Sequence, residues 1–155
     1  MVNVKIKPLY DNIVLPKKAH EDDACFDIYA HVPVGNINVS EGKTLIIEPH
    51  QTLFVQTGFA TEIPEGYCAL IFARSGVASK RYLRPAQGVP VIDAGYRGEW
   101  LIPLHNDSNV RQYVMDCERI AQFMIVPVLQ TNLIPVENLS DSDRGEGGFG
   151  SSGRN

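Results

Sequence analysis

Charged side chains stand beside sharp turns in two segments of the chain. ARSGVASK (73–80) presents Arg74 and Ser75 just after an apolar run, and an arginine with a hydroxyl at a turn is typical of an anion site. In GVPVIDAGYRGEW (88–100), Asp93 interrupts a Val/Ile run directly before an Ala-Gly turn and a tyrosine. A carboxylate within an apolar run costs free energy if it is buried, so its presence indicates a role. Each segment also has a structural interpretation, since Arg74 or Ser75 could cap a short helix and Asp93 could hydrogen-bond its own backbone.

A third segment, RGEGGFGSSG (144–153), holds five glycines, two serines, an arginine and a phenylalanine. Glycine loses more backbone freedom on ordering than any other residue, so we expect this tail to stay mobile until a ligand orders it. Gly145, Gly147 and Gly150 match the G-x-G-x-x-G spacing of dinucleotide sites, but that motif opens a helix and only five residues follow Gly150. The amides could still bind phosphate in a backbone nest. The alternative is a flexible, solubilising end.

Composition limits the class of protein. The chain has 155 residues, 44% of them hydrophobic, which predicts one folded domain with a substantial core. The net charge of −4 argues against a general nucleic-acid binder, because neutralising a phosphate backbone needs a basic face. No apolar run approaches the ~20 residues of a membrane span, and the N-terminus lacks a continuous hydrophobic signal region. We therefore expect no membrane association and a cytoplasmic protein.

The cysteines and histidines predict no metal or disulfide framework. Cys25, Cys68 and Cys117 are odd in number and far apart, so we expect buried thiols. The four histidines show no ligand spacing either.

Thirteen glycines and ten prolines divide the chain into short apolar segments, and none keeps a 3.6-residue period over three turns. This pattern predicts an all-β fold: a sandwich, jelly roll or small barrel, with one short helix around Ser75 to Lys80. Alternating strands with one buried face are expected at 2–6, 44–48 and 52–57. Strands apolar on both faces, which belong at the centre of a sheet or against another subunit, are expected at 67–73, 100–105 and 120–128. We divide the chain into a β domain, 1–140, and a C-terminal segment, 141–155.

Five segments, taken in order, resemble the five motifs of the trimeric dUTPases, enzymes that split dUTP into dUMP and pyrophosphate. They are DACFDIYA (23–30), ARSGVASK (73–80), VIDAGYRGE (91–99), ERIAQF (118–123) and RGEGGFGSSG (144–153). The resemblance spans nearly the whole chain, and chance agreement of five ordered motifs is hard to credit. It implies a homotrimer of distorted jelly-roll subunits, with each active site built from three chains and covered by a flexible, Gly-rich C-terminal lid.

The third motif implies the specificity and the chemistry. In this family it forms a β-hairpin, here Val91 to Arg97, that reads uracil through main-chain groups such as those of Val91 and Ile92. The tyrosine matching Tyr96 packs under the deoxyribose and leaves no room for a 2′-hydroxyl, which would exclude UTP. The aspartate matching Asp93 orients and deprotonates the water that attacks the α-phosphorus. A carboxylate with a pKa of about 3.9 is a weak base, so its benefit should lie mostly in positioning.

The other motifs imply how the triphosphate is held. The family uses Mg2+ bridging the phosphates, and Asp27 of the first motif is expected to hold this ion through water. Gln122 of the fourth motif is expected to hold the phosphates or the water, as a catalytic residue. The implied substrate-binding residues are Arg74, Ser75 and Gly76 of the second motif, then Arg144 on the γ-phosphate, Phe149 on the uracil, and Gly150 with Ser151 around the phosphate end. Base–aromatic stacking is worth about 1–3 kcal/mol, enough to help order the tail.

Four positions depart from the family pattern. Cys25 and Phe26 stand where the first motif usually has glycine and tyrosine, although Asp27 is retained. Pro90 replaces a common glycine three residues before Asp93 and removes a backbone donor that could touch uracil. Gln87 stands where many bacterial members have asparagine. The sequence therefore does not determine which groups upstream of the third motif contact uracil.

Two other functions are compatible with a fold of this kind. dCTP deaminase shares the fold and uses a glutamate on the strand after the third motif, but the strand at 100–106 has no acid and Glu99 lies only at its start. A non-catalytic or dual-role dUTP-binding trimer that regulates a protein partner is the second. Intact Asp93, Gln122 and Arg144 favour catalysis and leave room for a regulatory partner.

Overall fold

The structure, a computed structural model, describes residues 1–33, 39–40 and 43–148 of the chain. Over these residues the chain forms twelve strands and one short helix. In chain order they are β1 (Lys5–Pro8), β2 (Phe26–Tyr29), β3 (Val39–Ser40), β4 (Thr44–Ile47), β5 (Thr52–Gln56), β6 (Phe59–Glu62), β7 (Tyr67–Ala73), α1 (Ser75–Arg81), β8 (Leu83–Pro85), β9 (Val91–Asp93), β10 (Leu101–Asn106), β11 (Gln112–Met115) and β12 (Arg119–Pro127).

The strands pair antiparallel in four sheets across the described part of the chain. Their orders are β2-β12-β7-β9, β5-β10-β8, β11-β4-β3 and β1-β6. The three strands predicted to be apolar on both faces, β7, β10 and β12, are all inner strands, so their predicted central position is confirmed. Inner strands have neighbours on both edges, and their side chains are covered on at least one face. The expected all-β class is also confirmed.

Trp100 joins the sheets in the core. Its side chain is fully buried, with the Phe59 ring 5.2 Å away and the Phe123 ring 4.9 Å away between centroids. Its indole Nε1–H donates to Oγ1 of Thr61 at 3.1 Å, which satisfies the buried donor. Phe59 and Thr61 belong to β6 and Phe123 to β12, so one side chain fixes two sheets relative to the start of β10.

The helix α1 has the predicted position and ends one residue later than expected. Val77 is its buried residue, and Tyr82 closes it in the left-handed conformation with φ 56°. Arg81 in the last turn donates to the carboxylate of Glu118 and to the carbonyl oxygen of Tyr113. A positive charge at this end also complements the helix dipole. The helix therefore holds the loop after β7 against the start of β12.

Two predictions about burial are wrong in part. The strand expected at 2–6 begins at Lys5, and all four residues of β1 are exposed because it pairs only with β6 at the margin of the fold. Of the three free cysteines, only Cys68 is buried; Cys25 is half-buried and Cys117 is exposed. The alternating pattern at 44–48 was correct, since Leu45 and Ile47 are buried in β4. No helix in the described ranges is long and apolar enough to cross a membrane.

Candidate active site

Side chains from three of the sequence motifs meet in one cleft at the end of the four-stranded sheet. Asp27 in β2 lies opposite Gln122 in β12, and Gln122 lies opposite Phe72 in β7, two residues before Arg74. Residues directly opposite each other on antiparallel strands project from the same face. The cleft has a volume of about 250 Å³ and is lined by Ala19, Asp23, Ala24, Cys25, Asp27, Arg74 and Gln122.

Two arginines hold the carboxylate of Asp27. Nε of Arg74 lies 2.7 Å from Oδ1, and Nη1 of Arg119 lies 3.2 Å from Oδ2. The Asp27 side chain is only 9% exposed, and a buried carboxylate needs such partners to stay ionised. Guanidinium N–H groups are also strong donors to phosphate oxygens, so the two arginines suit a polyphosphate.

Arg119 is a site residue that the sequence reasoning missed. It lies in ERIAQF, the segment from which only Gln122 was selected. Its contact with Asp27 depends on a register shift in β12 between Arg119 and Ala121, which is not readable from a pattern of apolar residues. Membership of the motif was the only available signal.

The sequence left open whether Arg74 caps a helix or binds an anion. Arg74 occupies the N-cap position of α1, but no described side chain caps the helix, because a guanidinium has no acceptor for backbone N–H groups. The guanidinium binds Asp27 instead. Ser75 and Gly76 follow at the exposed start of the helix. The first-turn N–H groups therefore receive no side-chain acceptor and lie beside the positive charge of Arg74. This arrangement can accept anionic oxygens.

Gln122 is fixed by the neighbouring strand. Its Nε2 donates to the carbonyl oxygen of Ala73 at 3.0 Å. An amide held by its nitrogen presents its oxygen in a defined direction, and Gln122 lines the cleft. The side chain is therefore positioned to accept a hydrogen bond from a ligand or a water.

The carboxylates of the cleft fit an Mg2+ ion that is held through water rather than by direct ligation. Mg2+ keeps several waters and is usually held by one or two carboxylates together with substrate phosphates. Asp27 and Asp23 are the carboxylates that line the cleft, and the described residues contain no group of three or more His, Cys, Asp or Glu suited to a metal. Both oxygens of Asp27 are already held by arginines. The residues fit an ion brought with the phosphates and contacted by Asp27 through water.

Cys25 lines the same cleft as a protonated thiol. Burial raises the pKa of the Cys25 thiol, and the negative charges of Asp27 and Asp23 raise this pKa further. A thiolate is the nucleophilic form of cysteine, so the environment suppresses the reactivity of this thiol at neutral pH. The side chain occupies the position where glycine was the usual family residue.

The segment 91–99, called here the third-motif loop, begins on a free sheet edge. β9 is the outer strand of its sheet, with its other edge unpaired among the described residues, so main-chain donors and acceptors are available there. The carbonyl oxygen of Pro90 accepts a hydrogen bond from the N–H of Ile71 at 2.9 Å. This carbonyl is therefore used by β7.

The β-hairpin expected from Val91 to Arg97 is not formed. β9 ends at Asp93, and residues 94–100 make a turn and an irregular path into β10, which belongs to another sheet. The returning strand is absent from the described residues because the chain leaves this sheet after Asp93 and enters β10 of another sheet. Arg97 stabilises the irregular path between them, since its Nη1 donates to the carbonyl oxygens of Ala94 at 2.5 Å and Tyr96 at 3.1 Å.

Asp93 is an exposed carboxylate at the end of β9. Its side chain makes no hydrogen bond or ion pair with any described residue, while its carbonyl oxygen accepts the N–H of Tyr96 at 3.1 Å. The structural interpretation of Asp93, a hydrogen bond from its side chain to its own backbone, does not apply. Its carboxylate is free to act on a ligand.

One chain does not bring Asp93 to the cleft. Asp27 and Asp93 are three strand intervals apart across the sheet, and Asp93 pairs with Cys68, four residues along β7 from Phe72. With strands about 4.8 Å apart and a rise of about 3.3 Å per residue, the two acids lie roughly 20 Å apart. The cleft residues and the third-motif loop therefore cannot contact the same phosphate within one chain.

The C-terminal segment is described as far as Gly148. Nε of Arg144 donates to the carbonyl oxygen of Gly147 at 2.8 Å, so this guanidinium closes a local turn on the surface. Gly145 adopts φ +51°, a conformation that glycine tolerates best. The other tail residues expected at the site, Phe149, Gly150 and Ser151, lie outside the described residues.

A protein-family model described as dUTPase matches residues 11–153. The chain belongs to the dUTPase family. Among curated relatives, the deoxyuridine 5'-triphosphate nucleotidohydrolase of Picosynechococcus sp. is 38% identical over 98% of this chain and 99% of that protein. The enzyme of the same name from Clostridium acetobutylicum is 39% identical over 99% of this chain and 98% of that protein. The family expected from the five motifs is confirmed.

Solved structures of dUTPases are also similar to this chain. A point mutant of the Staphylococcus bacteriophage 80alpha dUTPase with dUpNHpp aligns with a TM-score of 0.82 and 31% identity, over 98% of this chain and 99% of that one. The same phage dUTPase with dUPNHPP, from work describing control of virulence-gene transfer by a proto-oncogenic G protein-like mechanism, aligns at 0.78 and 32%, with the same coverage. The distorted jelly roll of the family is thereby confirmed as the fold.

Proposed function

We propose that this protein hydrolyses dUTP to dUMP and pyrophosphate, as a dUTP diphosphatase. The observation that carries the proposal is the arginine-rich cleft around Asp27 together with the free carboxylate of Asp93 on an open strand edge. Family membership and the full-length relatives named nucleotidohydrolases support the substrate.

The proposed chemistry is attack of water on the α-phosphorus. The carboxylate of Asp93 accepts a hydrogen bond from the water, aims its oxygen at the α-phosphorus and receives its proton as the new P–O bond forms. The bond between the α-phosphorus and the α–β bridging oxygen breaks, and its electron pair leaves with pyrophosphate. Because no described side chain forms a hydrogen bond or an ion pair with this carboxylate, both of its oxygens are available to position the water.

The cleft residues are proposed to hold the triphosphate. When bound with the substrate, Mg2+ neutralises phosphate charge and orients the phosphates for in-line attack. Asp27 would hold waters of this ion, and Arg74 would exchange its bond to Asp27 for phosphate oxygens. Arg119 would then keep one oxygen of Asp27 oriented. Ser75, Gly76 and Gln122 would complete the contacts to phosphate oxygens or the attacking water.

Selection of deoxyuridine is assigned to the third-motif loop. Val91 and Ile92 lie on the open edge strand, where main-chain groups can pair with the uracil ring. The ring of Tyr96 is 43% exposed, so one face is open to pack under a deoxyribose. Close packing there would leave no space for a 2′-hydroxyl and would reject UTP.

A homotrimer is proposed because a single chain leaves the site divided. The roughly 20 Å between Asp27 and Asp93 would be closed by placing the third-motif loop of one subunit over the cleft of another. The face of the sheet that carries Gln122 also carries Leu70, Phe72 and Met124, which are only half-buried in the single chain. An apolar sheet face of this kind is suited to a subunit interface.

The segment after β12 also supports an assembly. It runs without a described strand or helix from residue 128 onward, and its large apolar side chains are exposed. They are Val128, Leu129, Leu133, Ile134, Val136 and Leu139, between 47% and 91% exposed. A contiguous exposed apolar arm marks an interaction site. We propose that this arm lies on a neighbouring subunit and brings Arg144 and the tail residues Phe149, Gly150 and Ser151 to the nucleotide.

Glu99 is the glutamate nearest to the strand on which a dCTP deaminase carries its catalytic glutamate, and its contacts do not support deaminase activity. One carboxylate oxygen of Glu99 accepts the N–H of Gly58 at 2.8 Å, and the other accepts Nε2 of Gln56 at 3.1 Å. A carboxylate with both oxygens engaged is not available as a general base.

A second candidate function is regulatory, in addition to catalysis. It is favoured by the likeness to the phage 80alpha dUTPase, whose description includes control of virulence-gene transfer. In this role the dUTP-bound trimer would bind a protein partner that the apo trimer does not bind. A partner captured equally with and without dUpNHpp would contradict this role.

Pyrophosphate release with Mg2+, measured for dUTP, dTTP, dCTP, UTP and dATP, tests the main proposal. We expect turnover of dUTP alone, and ammonia release from dCTP would indicate a deaminase instead. Asp93→Asn should retain binding of dUpNHpp while kcat falls by about 10²–10⁴-fold, the usual contribution of a general base. Asp107→Asn, at an exposed carboxylate paired with Arg84, is the control. An active Asp93→Asn protein would mean that another group directs the water.

A further inference from the structure

The ring of Tyr96 rests against the next turn of its own loop. Its hydroxyl donates to the carbonyl oxygen of Glu99 at 2.9 Å. Gly98 lies directly beneath the ring, where a Cβ would come within 2.6 Å of Cζ and 3.0 Å of Cε2, and closer still to the hydroxyl oxygen. Non-bonded carbon atoms pack at about 3.5–4.0 Å. The ring therefore occupies space that only glycine leaves open.

The residue that accepts the Tyr96 hydroxyl is itself anchored to the body of the fold. The carboxylate of Glu99 is held by the N–H of Gly58 and by Nε2 of Gln56. Gly58 has φ +77° and sits against Ile13, so this turn between β5 and β6 tolerates little variation. The next residue in the chain, Trp100, is fully buried. The Glu99 carbonyl is thus a fixed point for the ring.

We infer that Gly98 and Glu99 are positioning residues that set the sugar specificity of this enzyme by fixing the ring of Tyr96. The inference rests on the proposed function, in which this ring packs under the deoxyribose. A sugar pocket that excludes a hydroxyl by space alone depends on the position of its wall. A ring displaced toward the sugar lowers turnover of dUTP, and a ring displaced away from it admits UTP. A ring displaced away from the sugar therefore lowers the ratio of kcat/KM for dUTP to kcat/KM for UTP. A ring displaced toward the sugar crowds a 2′-hydroxyl more than a hydrogen, so it raises this ratio while kcat/KM for dUTP falls.

Gly98→Ala tests this directly. The added methyl group meets the far end of one exposed side chain, so the ring should move while the fold remains intact. We expect the dUTP-to-UTP ratio to change at least tenfold, about the effect of a one-carbon misfit in a pocket. The thermal midpoint without ligand should stay that of the wild type. Tyr96→Phe, which keeps the ring and removes its bond to Glu99, should change the ratio by a smaller factor.

Asp107→Asn, at an exposed carboxylate outside the third-motif loop, is the control. Its dUTP-to-UTP ratio should equal that of the wild type. The inference is overturned if Gly98→Ala keeps the wild-type ratio, or if Asp107→Asn changes it equally. If Gly98→Ala does not fold, a wild-type ratio in Tyr96→Phe overturns the inference. A wild-type protein that releases no pyrophosphate from dUTP would instead contradict the proposed function.

Discussion

Nε of Arg74 lies 2.7 Å from Oδ1 of Asp27, so the residue proposed to bind phosphate and the residue proposed to bind the metal ion are paired with each other. Arg74 is proposed to bind phosphate, and Asp27 is proposed to hold waters of the metal. Each satisfies the other while the cleft contains no phosphate, which avoids a buried unpaired charge. Binding of a metal–triphosphate complex then exchanges one ion pair for two, with Arg119 remaining on Oδ2 of Asp27.

Asp27→Asn should raise the Mg2+ concentration needed for half-maximal activity more than it raises the KM for dUTP. The amide keeps the size of the side chain but loses the negative charge that orders metal-bound waters. In a titration of pyrophosphate release, the Mg2+ concentration for half-maximal rate should rise at least tenfold. Glu62→Gln removes an exposed carboxylate that is paired with Lys5, and it serves as control. An unchanged Mg2+ response in Asp27→Asn would show that Asp27 does not serve the metal.

Mixing two impaired variants should restore activity at low Mg2+. Asp27→Asn and Asp93→Asn damage opposite ends of a divided site, so a mixed trimer contains sites in which both acids are wild type. The two proteins are unfolded together, refolded and assayed at an Mg2+ concentration that is half-maximal for the wild type, and the same proteins refolded separately are the control. Activity in the co-refolded sample should exceed that of either protein refolded separately. No recovery despite mixed trimers on native mass spectrometry would place both acids of a site on one chain.

Thr61→Val should destabilise the protein without altering the site. Valine has nearly the shape of threonine but leaves the buried indole N–H of Trp100 without its acceptor. The expected loss in the free energy of unfolding is about 1–3 kcal/mol, measured by urea denaturation at fixed chain concentration. Tyr82→Phe, at an exposed position outside the arm after β12, should leave the midpoint unchanged. Equal midpoints for the two variants would show that the Thr61 bond adds no stability.

Alkylation of Cys25 should be slow at neutral pH and accelerate in alkaline solution. Burial and the adjacent carboxylates of Asp27 and Asp23 raise the pKa of this thiol, so the thiolate fraction at pH 7 is below that of an ordinary cysteine, whose pKa is about 8.5. Iodoacetamide modification, followed by peptide mass spectrometry, should rise with pH past this value. Bound dUpNHpp with Mg2+ should protect Cys25 and leave Cys117 unprotected. Fast modification of Cys25 at pH 7 would contradict the raised pKa.

The sequence predicted the strands well because their signal is local. The apolar runs at 67–73 and 120–128 required burial on both faces, and they became the inner strands β7 and β12. The strand at the N-terminus was mispredicted because alternation alone does not state whether a partner covers the strand. β1 has β6 as its partner and remains exposed.

The meeting of Asp27 and Gln122 needed the structure, because it depends on the register between strands distant in the sequence. The family resemblance named both residues but not Arg119, whose contact follows a register shift. The hairpin expected in the third motif was wrong for a similar reason. β9 and β10 belong to different sheets, and this pairing is decided by the tertiary fold rather than by the residues of the turn.

The exposed arm after β12 has a consequence for synthesis. In a newly made subunit that has not yet met its neighbours, the leucines of this arm are exposed to solvent. Transiently exposed apolar segments draw chains into aggregates at high concentration. Assembly into the proposed trimer therefore competes with aggregation from the moment of release, so that slower expression at lower temperature should favour active protein over inclusion bodies.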